Sequence, residues 1–372
     1  MRAQVSRVVV SLAVLSGVLV ASPWGPSGGG VAHATGTTYV VTSTSDSGAG
    51  SLRQAILDAE TTVDDDTITF DPAVFTSGAL HTITLASTLP TVTKPLSIIG
   101  PGQNVLAISG DDTVRVMSVN GNRPNNWSPY PYPQGVPVTI TDLTLTRGRP
   151  PMADANPYEK LGGALSLGMA KLTMERVTVS HSLGWLGGGI AVTHSSLTMR
   201  DSRVENNTAT GAGGGIYSDW ADLGEAYAYL DIRNTTFTGN TSPRGGAITG
   251  HRTVHVTDST FTGNTSSGDG GAVWLGYSFN HTITNSTITG NTAARGGGIV
   301  GGGAGWYKGM LTLSGSSVTG NTATSGDGSG GIWIGSTILK ILNSTLSNGA
   351  AGNCKGTWTV TGSGAVVYSN RD

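Results

Sequence analysis

Cys354 is the only cysteine in 372 residues. One thiol cannot close an internal disulfide, nor can it supply the paired cysteines of a zinc finger. Stability must therefore come from packing and hydrogen bonding. Charge is scarce too: Asp, Glu, Lys and Arg make up 12% of the chain, with a formal net charge of −2. Without a basic stripe, nucleic acid is not an expected partner. After Val20 no apolar run approaches the roughly 20 residues that span a bilayer, so no transmembrane segment is expected in the mature chain.

The residue in excess is glycine, with 57 copies. Much glycine with little charge is a composition that disordered chains share. Here, however, Ile, Leu and Val return at regular spacing, which disorder does not require. The first residues have a separate character. Arg2 and Arg7 precede the apolar run Val8 to Val20, and Ala32-His33-Ala34 offers a small-residue cleavage site. That is the layout of a secretory signal peptide over residues 1–34, which predicts a secreted, extracellular or surface-associated product.

Self-similarity is the strongest signal. Glycine pairs or triplets precede an aliphatic residue at Leu165, Ile190, Ile216, Ile248, Val273, Ile299 and Ile332, at intervals of 25, 26, 32, 25, 26 and 33. A solenoid has a period of this size, with insertions in two coils. A second motif falls within each period: Val204 to Asn207, Phe237 to Asn240, Phe261 to Asn264, Ile288 to Asn291 and Val318 to Asn321. Upstream of it runs an alternating strand that turns Leu197, Met199, Val254, Val256, Leu311 and Leu313 inward. Directly after that strand stand Asp201, Asn234, Asp258, Asn285, Gly315 and Asn343, residue types that tolerate a left-handed corner. One period then reads as three short strands, with Asn side chains able to ladder from coil to coil at about 4.8 Å.

These patterns predict an all-β, right-handed parallel β-helix, a single-stranded solenoid with a short N-terminal capping helix. Residues 35–150 hold the cap and first coils, 151–348 the repeats of about 25 residues, and 349–372 the C-terminal coil and end. The cap is Ser51 to Ala59, where Leu52, Ala55, Ile56 and Ala59 share a face and Ser51 with Gln54 forms a capping box. Such a helix would cover the first coil's open edge.

The stretch Tyr39 to Glu60, with Gly50-Ser51-Leu52-Arg53-Gln54-Ala55-Ile56, resembles the CSLREA-type N-terminal segment of bacterial exported β-helix proteins. It departs from that motif at Gly50, where the motif has cysteine, and at Gln54, where it has glutamate. The repeats Phe237 to Asn240 with Gly245 to Ile248, and Phe261 to Asn264 with Gly270 to Val273, are similar to those of polymorphic outer membrane proteins. These resemblances imply a surface or adhesive role, within the pectate-lyase-like superfamily that also holds polysaccharide lyases and hydrolases.

Candidate chemistry gathers after the glycine-aliphatic strand. Tyr217, Trp220, Tyr227 and Tyr229, then Trp274 and Tyr277, then Trp306 and Tyr307, then Trp333 occupy the same stage of successive coils. They are expected to form one column of loops, an exposed strip for stacking sugar rings, or else rings that pack on their own loops. The ligand-binding candidates are Tyr217, Trp220, Trp274, Tyr277, Trp306, Tyr307 and Trp333.

Hydrolysis needs two placed carboxylates, and Asp219, Asp222 and Glu225 lie in an insertion beside the aromatics. Asp231 and His255 fall at equivalent outward positions of adjacent coils, with Arg233 and Arg252 near. That set would suit proton abstraction beside a uronate, or form a surface ion pair. His281 stands where other coils carry Leu or Val, either shifted by an insertion or as a satisfied edge histidine. Calcium is conceivable at Asp64-Asp65-Asp66 or Asp111-Asp112, although neither has full calcium-loop spacing, so no metal or other cofactor is assigned.

The leading expectation is an exported β-helix that binds glycan or a cell-surface partner through aromatic loops. The alternatives are a polysaccharide lyase or glycoside hydrolase, and a purely structural rod or adhesin.

Overall fold

The computed structural model describes residues 36–120, 135–152, 157–219, 229–276, 280–302, 309–326, 328–335, 338–349, 352–356 and 366–367. From Thr35 onward the chain forms one compact unit. Its described strands collect in three sheets: sheet A of 20 strands, sheet B of nine and sheet C of six. The pairings are parallel and join each coil to the next, as Leu230 with Val254 in sheet A, Thr265 with Thr292 in sheet C, and Ile248 with Val273 in sheet B.

One coil shows why the sequence folds this way. Tyr229–Arg233 alternates outward and inward, sending Leu230 and Ile232 into the core. Asn234 then adopts φ 42° and bends the strand. Thr236–Thr238 continues in sheet A with Phe237 inside. Gly239, at φ 65°, turns the next corner, Thr241–Arg244 joins sheet C, and the glycine pair leads into Ile248–Gly250 of sheet B. A coil thus holds four short strands, not the three its spacing suggests. The fourth arises because a single left-handed residue divides one extended run without leaving the sheet.

The corner residues behave as their chemistry requires. Asp201, Asn234, Asp258, Asn285, Gly315 and Asn343 all have φ between 42° and 58°. The inward set expected from alternation is also as expected: Leu197, Met199, Val254, Val256, Leu311 and Leu313 are buried. Equivalent core side chains stack on one another, most visibly Phe237 and Phe261, whose rings lie 4.6 Å apart and 2° from parallel.

Two buried polar ladders run along the core. Asn207, Asn240, Asn264, Asn291, Asn321, Asn348 and Asn353 form one. The Asn240 side-chain Nδ2 donates to Asn264 Oδ1 at 2.9 Å and to the Val204 carbonyl at 2.8 Å, and the motif repeats up the column. In the second, the Ser259 backbone N–H donates to Ser286 Oγ, Ser286 to Ser316 and Ser316 to Ser344, at 3.0–3.1 Å. A buried amide or hydroxyl without a partner is costly, so each ladder rewards coils that stack in register. Asn240-Thr241-Ser242 and Asn264-Thr265-Ser266 have the pattern of glycosylation sequons, but both Asn side chains are fully buried in the ladder.

The helix Leu52–Ala59 packs on the strands Thr38–Val41 and Asp66–Phe70 of the first coils, with Leu52, Ala55, Ile56 and Ala59 buried. Half of the expected capping box forms. Ser51 Oγ accepts from the Gln54 backbone N–H at 3.2 Å, but the Gln54 side chain turns away and donates to Asp58 at 2.8 Å. The Ser51 N–H already has the Gly48 carbonyl at 3.2 Å, so nothing draws glutamine back.

Glycines in the repeat serve two purposes that mutation separates. At Gly271 an added Cβ would stand 2.1 Å from the Gly297 carbonyl oxygen of the next coil. Gly271→Ala must push backbones apart and is expected to cost about 2–3 kcal/mol. Gly263 has φ 65° with nothing within 4 Å of its missing Cβ, so Gly263→Ala carries only the left-handed penalty of about 1 kcal/mol. Thermal melting of the two variants checks the order, and equal losses would refute the crowding argument.

Candidate functional site

Outward side chains capable of chemistry gather in two places, one on sheet B and one on sheet A. On sheet B the outward column runs Ala191, Tyr217, Thr249, Trp274, Val300, Trp333 and Lys355, each in register with the next. The expected common column is therefore real for Tyr217, Trp274 and Trp333. Its expected exposure is not: Tyr217 is 8% and Trp274 4% exposed, while Trp333 is half-buried.

Neighbouring coils cover these rings. His251, which follows Gly250 as Asp219 follows Ser218, lies between them, 5.6 Å from the Tyr217 ring and 5.0 Å from Trp274. The Arg244 guanidinium sits over Trp274 at 5.1 Å, and Arg295 over Trp333 at 4.7 Å. Arg295 is held there by Asp269 through two bonds of 2.8 and 2.7 Å. Cations on aromatic faces are favourable, and here they close the strip. Trp220, Asp222, Glu225, Tyr277, Trp306 and Tyr307 lie outside the described residues.

The roots of those loops carry chemistry that the sequence did not single out. Tyr217 Oη reaches Asp219 Oδ1 at 3.4 Å, and burial followed by the Asp219 charge keeps the phenol protonated well above its usual range. His251 Nδ1 is buried without a hydrogen-bond partner among the described residues. Burial lowers its pKa to about 4, with Asp219 opposing and Arg244 assisting the shift. Nothing in the local sequence Thr249 to Thr253 marks this histidine, because its partners come from other coils.

On sheet A, Asp231 and His255 are in register as expected. They do not bond each other. Asp231 is gripped by Arg233 through contacts of 3.0 and 2.9 Å, and His255 Nδ1 lies 2.8 Å from Thr282 Oγ1. Tyr229, Thr253 and Thr257 complete an open, shallow depression around them. Arg252 is not part of it, being buried in the turn that leads into Thr253.

His281 is neither shifted by an insertion nor at an edge. It pairs in register with Leu311 and is 1% exposed, a histidine at a core aliphatic position. Its Nδ1 accepts from the Val254 N–H and its Nε2 faces the Gly276 carbonyl, both at 3.3 Å, an arrangement that fits the neutral ring. Burial draws its pKa down to about 4; the Gly276 carbonyl opposes this and His255 adds to it.

Asp66 accepts from the Thr37 N–H at 2.7 Å, and Asp111 and Asp112 both pair with Arg147. Among the described residues no group of three or more His, Cys, Asp or Glu converges as a metal site. Trp185, unremarked in the sequence, is the most exposed described tryptophan at 37%, beside Met152, Lys160 and Thr210. No helix among the described residues is long and apolar enough to cross a membrane.

The architecture defines the class: this is an all-β parallel β-helix. Residues 162–346 match a family model described as "Right handed beta helix region", which agrees with the stacked parallel sheets and supports a pectate-lyase-like fold. A search of curated proteins finds no match.

Proposed function

We propose that the protein is an exported, extracellular β-helix that binds a polysaccharide or cell-surface glycan along the sheet B flank. One observation carries the reading: the register that aligns Tyr217, Trp274 and Trp333 also aligns the roots of the loops bearing Trp220, Tyr277, Trp306 and Tyr307. A linear polymer repeats along its length, and so does this flank, at about 4.8 Å per coil. Trp333, only half-buried, supplies a partly open ring. The N-terminal basic-apolar-small pattern and the CSLREA-like cap support export.

Retention on immobilised polysaccharides tests the proposal. Trp333→Ala should weaken retention by about tenfold, the loss of one stacked ring, and the triple change of Trp220, Trp274 and Trp306 to Ala by at least as much. Unchanged retention in every variant, or none by the wild type on any glycan, leaves only a structural rod.

A second reading rests on the sheet A depression. His255 beside Thr282 offers a proton acceptor, and Arg233 a group to face a uronate carboxylate. Arg233 is already engaged by Asp231, however, so binding without cleavage is the better-supported reading. New reducing ends, or unsaturated products absorbing in the ultraviolet, that disappear in His255→Ala would reverse that order.

A further inference from the structure

The half of sheet A that follows the left-handed corner carries hydroxyls at both outward positions of five successive coils. They are Thr236 and Thr238, Thr260 and Thr262, Thr287 and Thr289, Ser317 and Thr319, and Thr345 and Ser347. Each pairs directly with its counterpart on the next coil, and no register shift interrupts the series. Between the two columns Phe237, Phe261, Ile288, Val318 and Leu346 point inward and are fully buried. The result is a two-column array, spaced about 4.8 Å along the axis and about 6.7 Å across each strand.

Three properties distinguish this face. It is uncharged over all five coils; the nearest charges in its columns are Arg203 and Glu205, one coil earlier. No side-chain hydroxyl in it bonds within the described protein, so ten donor-acceptor groups are directed at solvent. It is also held rigid on both margins, by the serine ladder beneath one corner and the asparagine ladder beneath the other. Threonine's branched Cβ restricts χ1, so methyl and hydroxyl positions repeat along with the backbone.

The occupant follows from what such a face offers. A protein partner would find no aromatic or arginine anchor, and a polyanion no cation. A sugar would find no ring on which to stack. An ordered sheet of water needs only neutral hydroxyls, each able to donate and accept, at fixed repeats in two directions. The oxygen repeats of hexagonal ice lie close to both spacings of the array. We propose that this threonine face binds ice, through waters ordered between its methyl groups and anchored by its hydroxyls.

The test uses the full chain and polycrystalline ice, read as inhibition of recrystallisation and as thermal hysteresis. Wild-type protein is expected to slow crystal growth and to leave a shaped crystal. Thr262→Lys with Thr289→Lys, at the centre of the array, should need at least about tenfold more protein for the same effect, since central contacts dominate a binding surface. Thr262→Val with Thr289→Val keeps the shape and strand propensity while removing two hydroxyls, and should also weaken the effect. Thr173→Lys with Thr198→Lys adds the same charge to the other half of sheet A and should behave as wild type. Melting curves establish that each variant is folded. Wild-type protein with no more effect than an inert globular protein would overturn the proposal, as would full activity in the central lysine variant. So would adsorption to crystalline cellulose or chitin, lost in the same variants, with no effect on ice.

Discussion

Asn264→Leu is expected to destabilise the β-helix by about 3–5 kcal/mol, although leucine fills a similar volume and the site is wholly buried. The reason is direction. Asn264 Oδ1 receives both the backbone N–H of Asn240 at 3.0 Å and its side-chain Nδ2 at 2.9 Å. Asn264 Nδ2 in turn donates to the Phe237 carbonyl at 3.0 Å and to Asn291 Oδ1 at 2.9 Å. Leucine leaves an amide N–H, a side-chain donor and a carbonyl buried in the core without their partners. Asn264→Asp does not rescue it, because the second carboxylate oxygen faces the Phe237 carbonyl. Asn343→Ala serves as contrast: that residue is exposed at a corner with φ 45°, and its loss carries only the left-handed penalty of about 1–2 kcal/mol. Urea denaturation followed by circular dichroism measures both. A loss for Asn264→Leu no larger than that for Asn343→Ala would show that the ladder contributes little.

Acid should weaken the fold from about pH 6.5 downward. His251 and His281 both have pKa values lowered to about 4, with burial as the first cause. Unfolded, each would titrate near 6.5. Above that pH both states hold neutral rings and the stability is fully present. As pH falls from about 6.5 towards 4, the unfolded chain binds protons that the folded chain refuses, and stability declines. The full loss is about 3 kcal/mol for each histidine. At His281 the structural cause is specific: a proton on Nδ1 would oppose the Val254 N–H that now donates to it. His281→Leu, copying Leu311 of the next coil, should keep the fold and remove about half of the pH dependence. Stability that is flat between pH 7 and 4.5, or an unchanged slope in His281→Leu, would sink this account.

Much of the architecture is legible in the chain because a solenoid converts spacing into adjacency. The glycine-aliphatic interval placed Ile248 against Val273 and Val273 against Ile299. Alternation identified the inward Leu197 and Met199, and corner chemistry identified Asn234 and Asp258. The candidate sites were less legible. The sequence grouped Tyr217, Trp274 and Trp333 correctly, yet could not show that His251, Arg244 and Arg295 would cover them. It put Asp231 beside His255, yet not the turn of Asp231 towards Arg233 or of His255 towards Thr282.

What the sequence determined by itself is periodic: which residues repeat, which face inward, and where the backbone must turn left-handed. Those properties depend on a residue and its near neighbours along the strand. The tertiary structure alone decided which outward side chains are covered, which polar groups find partners, and that a histidine sits in the core at position 281. Coils of 24 to 33 residues bring together groups from segments of unequal length, so exposure and pairing are set by the coil above and the coil below.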